Sequence, residues 1–369
     1  MSPRPSAPSC AVAEVLLVTK PLVPPWTDGA KNLARDLVTH ATGRHRFRCL
    51  VPWGAEPPGP ASTGERIYAA PGAYSPALAD GLRVLARLCL PDRVPLYHFF
   101  FAPNPRTNRV AAAVLGVKRR RVVHTVVSRP TGTVRWFADV HVALSEATAR
   151  ALRAAGAPDV RVIRPGIPWA APPSPEERAA GRAAFELPRD ARVVLFAGDL
   201  VPGGGADVLA DAVLRVPDVL AVFACRPKGQ GHEARRKALA ERLGSRARFL
   251  GEVDDMGRLV AAADVHCLAA TDLHAKMDLP MVVLESLRAA VPVVVAAAPP
   301  LSELGGEAEG VIQVAPDDPV ALAAALRALF DVPDRRWALG EAGWRHVIRA
   351  FDAARMAHEY ETLYDELLR

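Results

Sequence analysis

Short apolar runs alternate with longer helical patterns from one end of this 369-residue chain to the other, and that alternation limits the fold more than any other feature. In the first half, the runs Glu14–Thr19, Arg46–Val51, Pro95–Phe101, Arg121–Val127 and Val140–Ser145 have strand length. Helical stripes over Ala30–Thr39, Pro76–Cys89, Thr107–Leu115 and Glu146–Ala155 separate or follow them. The second half repeats the theme. Strands are expected at Arg192–Ala197, Val219–Ala224, Ala247–Leu250, Val265–Leu268 and Val291–Ala296, and helices at Gly205–Arg215, His232–Leu243, Asp255–Ala263 and Met281–Ala290. Past about Val320 only helical patterns remain, the last over Asp352–Arg369. Strands joined through helices build βαβ units, because parallel neighbours need a crossover, so each half predicts its own parallel sheet.

Between the halves, Arg164–Pro175 places five prolines in twelve residues, a stiff connector with few helix or strand options. The expected architecture is α/β, with two Rossmann-like doubly wound parallel-sheet domains facing a cleft. Its divisions are a loose tail over 1–13, a first domain over 14–164, a linker over 165–175, a second domain over 176–350 and a terminal helix over 351–369.

Composition narrows the function classes. Half the residues are hydrophobic and 23% are charged, which excludes wholesale disorder, and no apolar run reaches the roughly 18–20 residues of a membrane span. A net charge of +6 suits a phosphorylated ligand, but without a clustered basic motif no nucleic-acid partner is expected. The strongest basic run, Lys118–Arg121, reads as a solvated helix end, with peripheral membrane contact as the competing reading. Five scattered cysteines without a C-x-x-C pair indicate neither zinc nor a disulfide framework. The apolar run Val12–Val18 is interrupted by Glu14 and no cleavage site follows, so it reads as a strand, and a cytoplasmic setting is expected.

In open parallel sheets, ligands sit beyond the carboxyl ends of the strands. One such place is Gly198–Gly205, where Gly203, Gly204 and Gly205 at a helix start let backbone N–H groups approach a phosphate; a merely flexible turn is the competing reading. The loop lacks the Lys and Ser/Thr of a P-loop, and G-x-G-x-x-G is absent. A second place is Lys276–Glu285. Glu285 falls in apolar helical surroundings and needs a partner, either ribose hydroxyls or Arg288 or another base, while Lys276 is placed for a phosphate. A third is Arg226 with Lys228, two cations directly after a strand. In the first half, Asp28, Gly29 and Lys31 form a turn into the first helix, a potential acceptor-side loop. His98, His124 and Ser145 lie near strand ends. Neither metal-ligand spacing, a D-x-D pair nor G-x-S-x-G is present, so no metal and no cofactor are expected.

Several stretches in order carry a family resemblance: Val162–Ile167, Phe196–Gly198 with the following glycines, Phe249–Val253, Ala261–Val265, and Asp278–Glu285 continuing to Val294. Together they resemble retaining GT-B glycosyltransferases of the family 4, or group 1, type. The resemblance implies a nucleotide-sugar donor on the second domain and a lipid, glycan or secondary-metabolite acceptor on the first. It also implies metal-free transfer with retention and a terminal helix crossing back to the first domain. Glu285 matches the glutamate that holds the donor ribose, and Met277 and Leu279 fall in the same donor-binding motif. The motif's first acid falls on Met277, leaving Asp278 beside it, and His124 matches a cleft residue near the reacting sugar; His124 and Asp278 are thus the reaction-centre candidates. Two departures stand out. Asp199 and Gly204 occupy places where the family commonly has an Arg and a Lys for the diphosphate. Either Arg226, Lys228 and Lys276 supply that charge, or the chain is a non-catalytic homologue that binds a nucleotide, glycan or protein; a sugar-nucleotide epimerase is a third reading.

Overall fold

The computed structural model describes residues 12–70, 77–116, 120–130, 132–227, 231–273 and 277–369. The first sheet contains β1 (Ala13–Val18), β2 (His45–Pro52), β3 (Ser62–Tyr68), β4 (Leu96–Phe101), β5 (Arg121–Val126), β6 (Val140–Ala143) and β7 (Val160–Val162). Its strands pair in parallel in the order β3-β2-β1-β4-β5-β6-β7. Helices α1 (Gly29–His40), α2 (Leu78–Cys89), α3 (Pro105–Leu115) and α4 (Glu146–Ala154) connect them.

After α5 (Pro175–Ala184) the second domain runs β8 (Arg192–Ala197), α6 (Ala206–Leu214), β9 (Val219–Ala224), α7 (His232–Leu243), β10 (Ala247–Phe249) and α8 (Met256–Ala262). It continues with β11 (Val265–Leu268), α9 (Met281–Arg288), β12 (Val293–Ala296) and β13 (Val311–Val314). These strands are also parallel, in the order β10-β9-β8-β11-β12-β13. Three helices finish the described chain: α10 (Pro319–Phe330), α11 (Pro333–Ala350) and α12 (Ala353–Leu368). The fold is thus two doubly wound parallel sheets. In each, the order reverses beside the first strand, at β1/β4 and at β8/β11, which opens a crevice at the strands' carboxyl ends.

Central strands read clearly because they are buried on both faces: Val219–Ala224 is buried at every residue. Three strands have no counterpart in the sequence reading, namely β3, β7 and β13. β3 and β7 are edge strands with several exposed or half-buried residues, so no continuous apolar run marks them, and β13 is a four-residue edge strand interrupted by Gln313. Helix α5 was also missed, although Ser174 and Glu177 form a reciprocal capping box and Pro175 occupies its first turn.

The linker and the end of α11 meet. Ile167 N–H donates to the Phe351 carbonyl (2.8 Å), and Ala353 N–H donates to the Ile167 carbonyl (3.1 Å). A Cβ at Gly166 would lie 2.6 Å from the Ala353 Cα, so only glycine permits the approach. From there α12 packs on α1 in the first domain, burying Met356, Ala357, Tyr360 and Tyr364 in that domain's core. Polar groups on α12 are matched as well. The buried Glu361 carboxylate accepts from Thr42 N–H (3.1 Å) and Thr42 Oγ1 (2.7 Å), and the Tyr364 hydroxyl meets His98 Nδ1 (2.6 Å).

Candidate functional site

A cavity of about 990 Å³ lies between the two sheets. The carboxyl ends of both line it: Thr19 and Lys20 after β1, Phe101 at the end of β4, Val127 and Ser128 after β5, Gly198 and Asp199 after β8, and Arg226 after β9. The turn into α1 contributes Trp26, Asp28 and Gly29, and the segment entering α9 contributes Met277, Pro280 and Glu285.

Asp28 is held from two directions. It caps α1 by accepting from Lys31 N–H (3.1 Å) and pairs with Lys20 Nζ (2.7 Å). Gly29 packs against the other domain, since a Cβ there would sit 3.1 Å from Met277 Sδ. Lys31 is turned away from the cavity. Its ammonium donates to the Pro25 carbonyl (2.9 Å) and lies 5.1 Å from the Trp26 ring centroid, and burial pushes its pKa down to about 8. Asn32, which the sequence reading did not single out, lines the cavity; its amide donates to the Trp26 carbonyl (3.2 Å), and its buried Oδ1 has no hydrogen-bond partner among the described residues.

On the second domain, Glu285 stands half-buried on the cavity side of α9. Burial raises its pKa most strongly; Arg288 and Arg35 oppose that shift and Asp36 adds to it. Its carboxylate forms no hydrogen bond or ion pair among the described residues, and Arg288 instead donates to the Pro168 carbonyl (3.1 Å). The competing pairing of Glu285 with Arg288 is therefore not what the structure shows. Arg226 reaches across the cleft to the Thr27 carbonyl (3.3 Å), and its Nε lies 4.0 Å from buried Asp199. The acid at 199 thus has a cationic neighbour, as its charge requires.

Other expected site residues lie elsewhere. His124 does not line the cavity. It is fully buried against Phe101 (ring centroids 4.3 Å apart) and Phe137 (5.0 Å), with Nε2 at 3.1 Å from the Phe101 carbonyl. Burial pushes its pKa down to about 3, so the ring is neutral at physiological pH. Strand alternation explains the miss: Val123 and Val127 join the core facing α1 and α12, while His124 projects from the opposite face. Val127 and Ser128 occupy the strand's cleft end instead. Asp278 is likewise withdrawn. It is buried in the contact between domains, where its Oδ2 accepts from Ser145 Oγ (3.0 Å), and burial pushes its pKa up to about 6. Nearby, the Glu303 carboxylate accepts from the first N–H groups of α4, those of Glu146 (2.8 Å) and Ala147 (2.6 Å). Leu279 belongs to the second domain's hydrophobic core.

Gly203, Gly204 and Gly205 are not among the residues that line the cavity, and each packs closely against the protein's own chain. The Gly203 carbonyl accepts from Thr271 N–H (2.9 Å) and Asp272 N–H (3.1 Å), Gly204 is buried, and Gly205 has φ +91° with its Cβ direction blocked 2.6 Å away by the Ala269 backbone. Close packing of α6 on the next crossover is what these glycines permit. Lys228 and Lys276 lie outside the described residues, as do Lys118 and Arg119 of the basic run. Of that run's remaining members, Arg120 pairs with Asp92 (3.4 Å) and Arg121 with Asp139 (3.8 Å). Among the described residues no helix is long and apolar enough to cross a membrane, and no three His, Cys, Asp or Glu side chains are grouped as a metal site.

Residues 191–331 match the family model "Glycosyl transferases group 1". A D-inositol 3-phosphate glycosyltransferase of Mycolicibacterium gilvum is 34% identical over 148 residues, 37% of this chain and 31% of that protein. A phosphatidyl-myo-inositol mannosyltransferase of Mycobacterium tuberculosis is 32% identical over 190 residues, 48% of each chain. The matches thus span about a third to a half of these relatives' lengths. Among solved structures, Anabaena HepE in complex with UDP and glucose superposes with a TM-score of 0.74 at 18% identity, covering 95% of this chain and 99% of that one. Sucrose-phosphate synthase of Thermosynechococcus elongatus gives a TM-score of 0.77 at 20% identity, covering 96% and 99%. The chain has the GT-B fold, and residues 191–331 of its second domain match the group 1 glycosyl transferases.

Proposed function

We propose that the protein is a glycosyltransferase that moves a sugar from a nucleotide-sugar donor on the second domain to an acceptor hydroxyl on the first, with retention and without metal. The observation that carries this reading is Glu285, a half-buried carboxylate on the cavity wall whose pKa burial raises and which has no hydrogen bond or ion pair among the described residues. A pair of ribose hydroxyls would donate to it and offset its desolvation. Structural relatives solved with UDP and UDP-glucose support the choice of ligand class.

In the transfer, the bond from the sugar's anomeric carbon to the diphosphate breaks and a bond to the acceptor oxygen forms on the same face. The acceptor's proton passes to the leaving phosphate, so no protein base is needed. This chain's part is to hold the donor through Glu285, to place Arg226 beside the diphosphate, and to position the acceptor near Asp28 and Ser128. Lys228 and Lys276 are proposed as further sources of positive charge.

One observation favours a second reading, a GT-B homologue that binds without catalysis. The described cavity wall carries five carboxylates (Asp28, Asp199, Glu252, Asp254 and Glu285) against three cations (Lys20, Arg106 and Arg226). Such a balance opposes a diphosphate. Calorimetric titration of the wild type and Glu285→Ala with UDP, GDP, dTDP and ADP tests the donor site, and turnover of the sugar nucleotide that matches the bound base separates transfer from binding alone. The transferase reading expects one nucleotide to bind and to weaken in the variant; absence of binding to all four leaves the non-catalytic scaffold.

A further inference from the structure

The cavity extends well beyond the groups just assigned to the donor. On its first-domain side, two helices present apolar stripes to the same space. Leu78, Gly81, Leu85 and Leu88 recur along α2, and Thr107, Val110, Ala111 and Val114 along α3, each at helical spacing. Stripes of this kind ordinarily close on each other or on a sheet. Here the inner members Val84, Leu88, Ala111 and Val114 do pack with Phe99 and Phe101 of β4, while the outer members Leu78 and Val110 stay open and border a slot. The slot grades from sealed to open: Leu88 is 6% exposed and Leu78 83%, while Ala111 is 6% exposed and Val110 48%. Apolar walls left facing water are unfavourable, and an apolar ligand that displaces that water is favoured roughly in proportion to the area covered.

Besides Thr19, Tyr68 and Ser128, the polar groups of the first-domain wall form two sets, Asn104, Arg106 and Thr107 at the start of α3 and Lys20, Asp28 and Asn32 at the β1–α1 turn. That turn meets the second domain, where Arg226 contacts Thr27 and Gly29 contacts Met277. A ligand matching this partition is amphipathic, with a hydroxyl-bearing end at the turn and an apolar body between α2 and α3. The volume agrees: about 990 Å³ lies at the top of the roughly 300–1,000 Å³ range of small-molecule sites, room for a second ligand beside a donor.

We propose that the slot between α2 and α3 binds the acceptor, and that the acceptor is a small lipophilic alcohol whose apolar body fills the slot while its hydroxyl lies at the Lys20–Asp28 turn. The word acceptor rests on the glycosyltransferase reading; the slot's preference for an apolar body rests on its walls alone.

The test uses the full chain and a series of probes, 1-hexanol, 1-octanol and 1-decanol, titrated calorimetrically into wild type, Val84→Asp and Val110→Asp, with nucleotide titrations run on the same preparations. Val110 is largely exposed at the mouth of the slot, so Val110→Asp makes little demand on the core; Val84 is half-buried on the slot wall and packs against the first-domain core, so melting curves accompany Val84→Asp to show that it stays folded. Affinity is expected to rise about fourfold per methylene, the equivalent of burying each group, and to fall at least tenfold in both variants. Weak binding independent of chain length, or chain-length-dependent binding indifferent to both substitutions, overturns the slot while nucleotide binding leaves the transferase reading standing. Alkanol binding in a wild type that binds no nucleotide removes the transferase reading, and the acceptor role falls with it.

Discussion

Each domain begins with the same device, a buried strand, a turn containing glycine and a helix, yet the two turns do opposite work. After β1 the turn faces the cleft: Asp28 caps α1, holds Lys20, and lines the cavity with Gly29. After β8 the cleft is lined by Gly198 and Asp199, and the glycines that follow pack against the protein's own chain. Gly205 enters α6 in a left-handed conformation, pressed against the Ala269 backbone, and Gly203 bonds to Thr271 and Asp272. Gly29 permits the approach of Met277 from the other domain at the cavity wall, and Gly205 permits the approach of its own domain's backbone.

The sharpest way to break this contrast is Gly205→Ala. The left-handed backbone alone costs about 1–3 kcal/mol, and contact with Ala269 adds to it, so a large fall in melting temperature is expected. Nucleotide affinity at a temperature where the variant stays folded should be unchanged; a selective loss of affinity would put the turn back in the donor site.

Next in size is Glu285→Ala. Losing charge-assisted hydrogen bonds of about 1.5–3 kcal/mol predicts a drop of roughly 10- to 150-fold in nucleotide affinity, with stability held or increased because a desolvated carboxylate is removed. A fall in stability without a fall in affinity would make Glu285 a structural group.

Asp28→Ala removes a helix cap worth about 0.5–2 kcal/mol and frees Lys20, so the melting temperature should drop modestly. Gly29→Ala meets only a flexible methionine end at 3.1 Å, and its effect on stability should be the smallest of the four. If Gly29→Ala proved as damaging as Gly205→Ala, the two turns would not differ as described.

A pH titration adds a further check at the contact between the domains. The folded pKa of Asp278 is raised to about 6 from an ordinary 3.8, so its neutral form is favoured in the folded state. That contribution is fully present below the ordinary value and is lost as pH rises through about 6. Wild type should therefore lose stability relative to Asp278→Asn between roughly pH 4 and 6. Parallel melting curves of the two proteins across that window would count against a buried, ionisable Asp278.

Much of the fold was legible because buried parallel strands write themselves as continuous apolar runs. β8, β9 and β11 fall within a residue of their expected spans, whereas β3, β7 and β13 lack such a run. The site was legible at strand ends and at Glu285, because a carboxylate in an apolar helix needs a reason to be there. It was illegible at His124, where one step of strand alternation moves a side chain from one face of the sheet to the other. At Asp278 it was hidden by Ser145, which lies 133 residues away in the chain.

The sequence by itself determined the two parallel sheets, the proline-rich joint and the strand ends where a ligand could sit, since periodicity, stiffness and strand length are local properties. Only the tertiary structure decided which side chains reach the cleft. Whether Asp199 meets a cation, whether a glycine packs against the other domain or its own, and whether two apolar stripes close or stand apart depend on contacts between residues far apart in the chain.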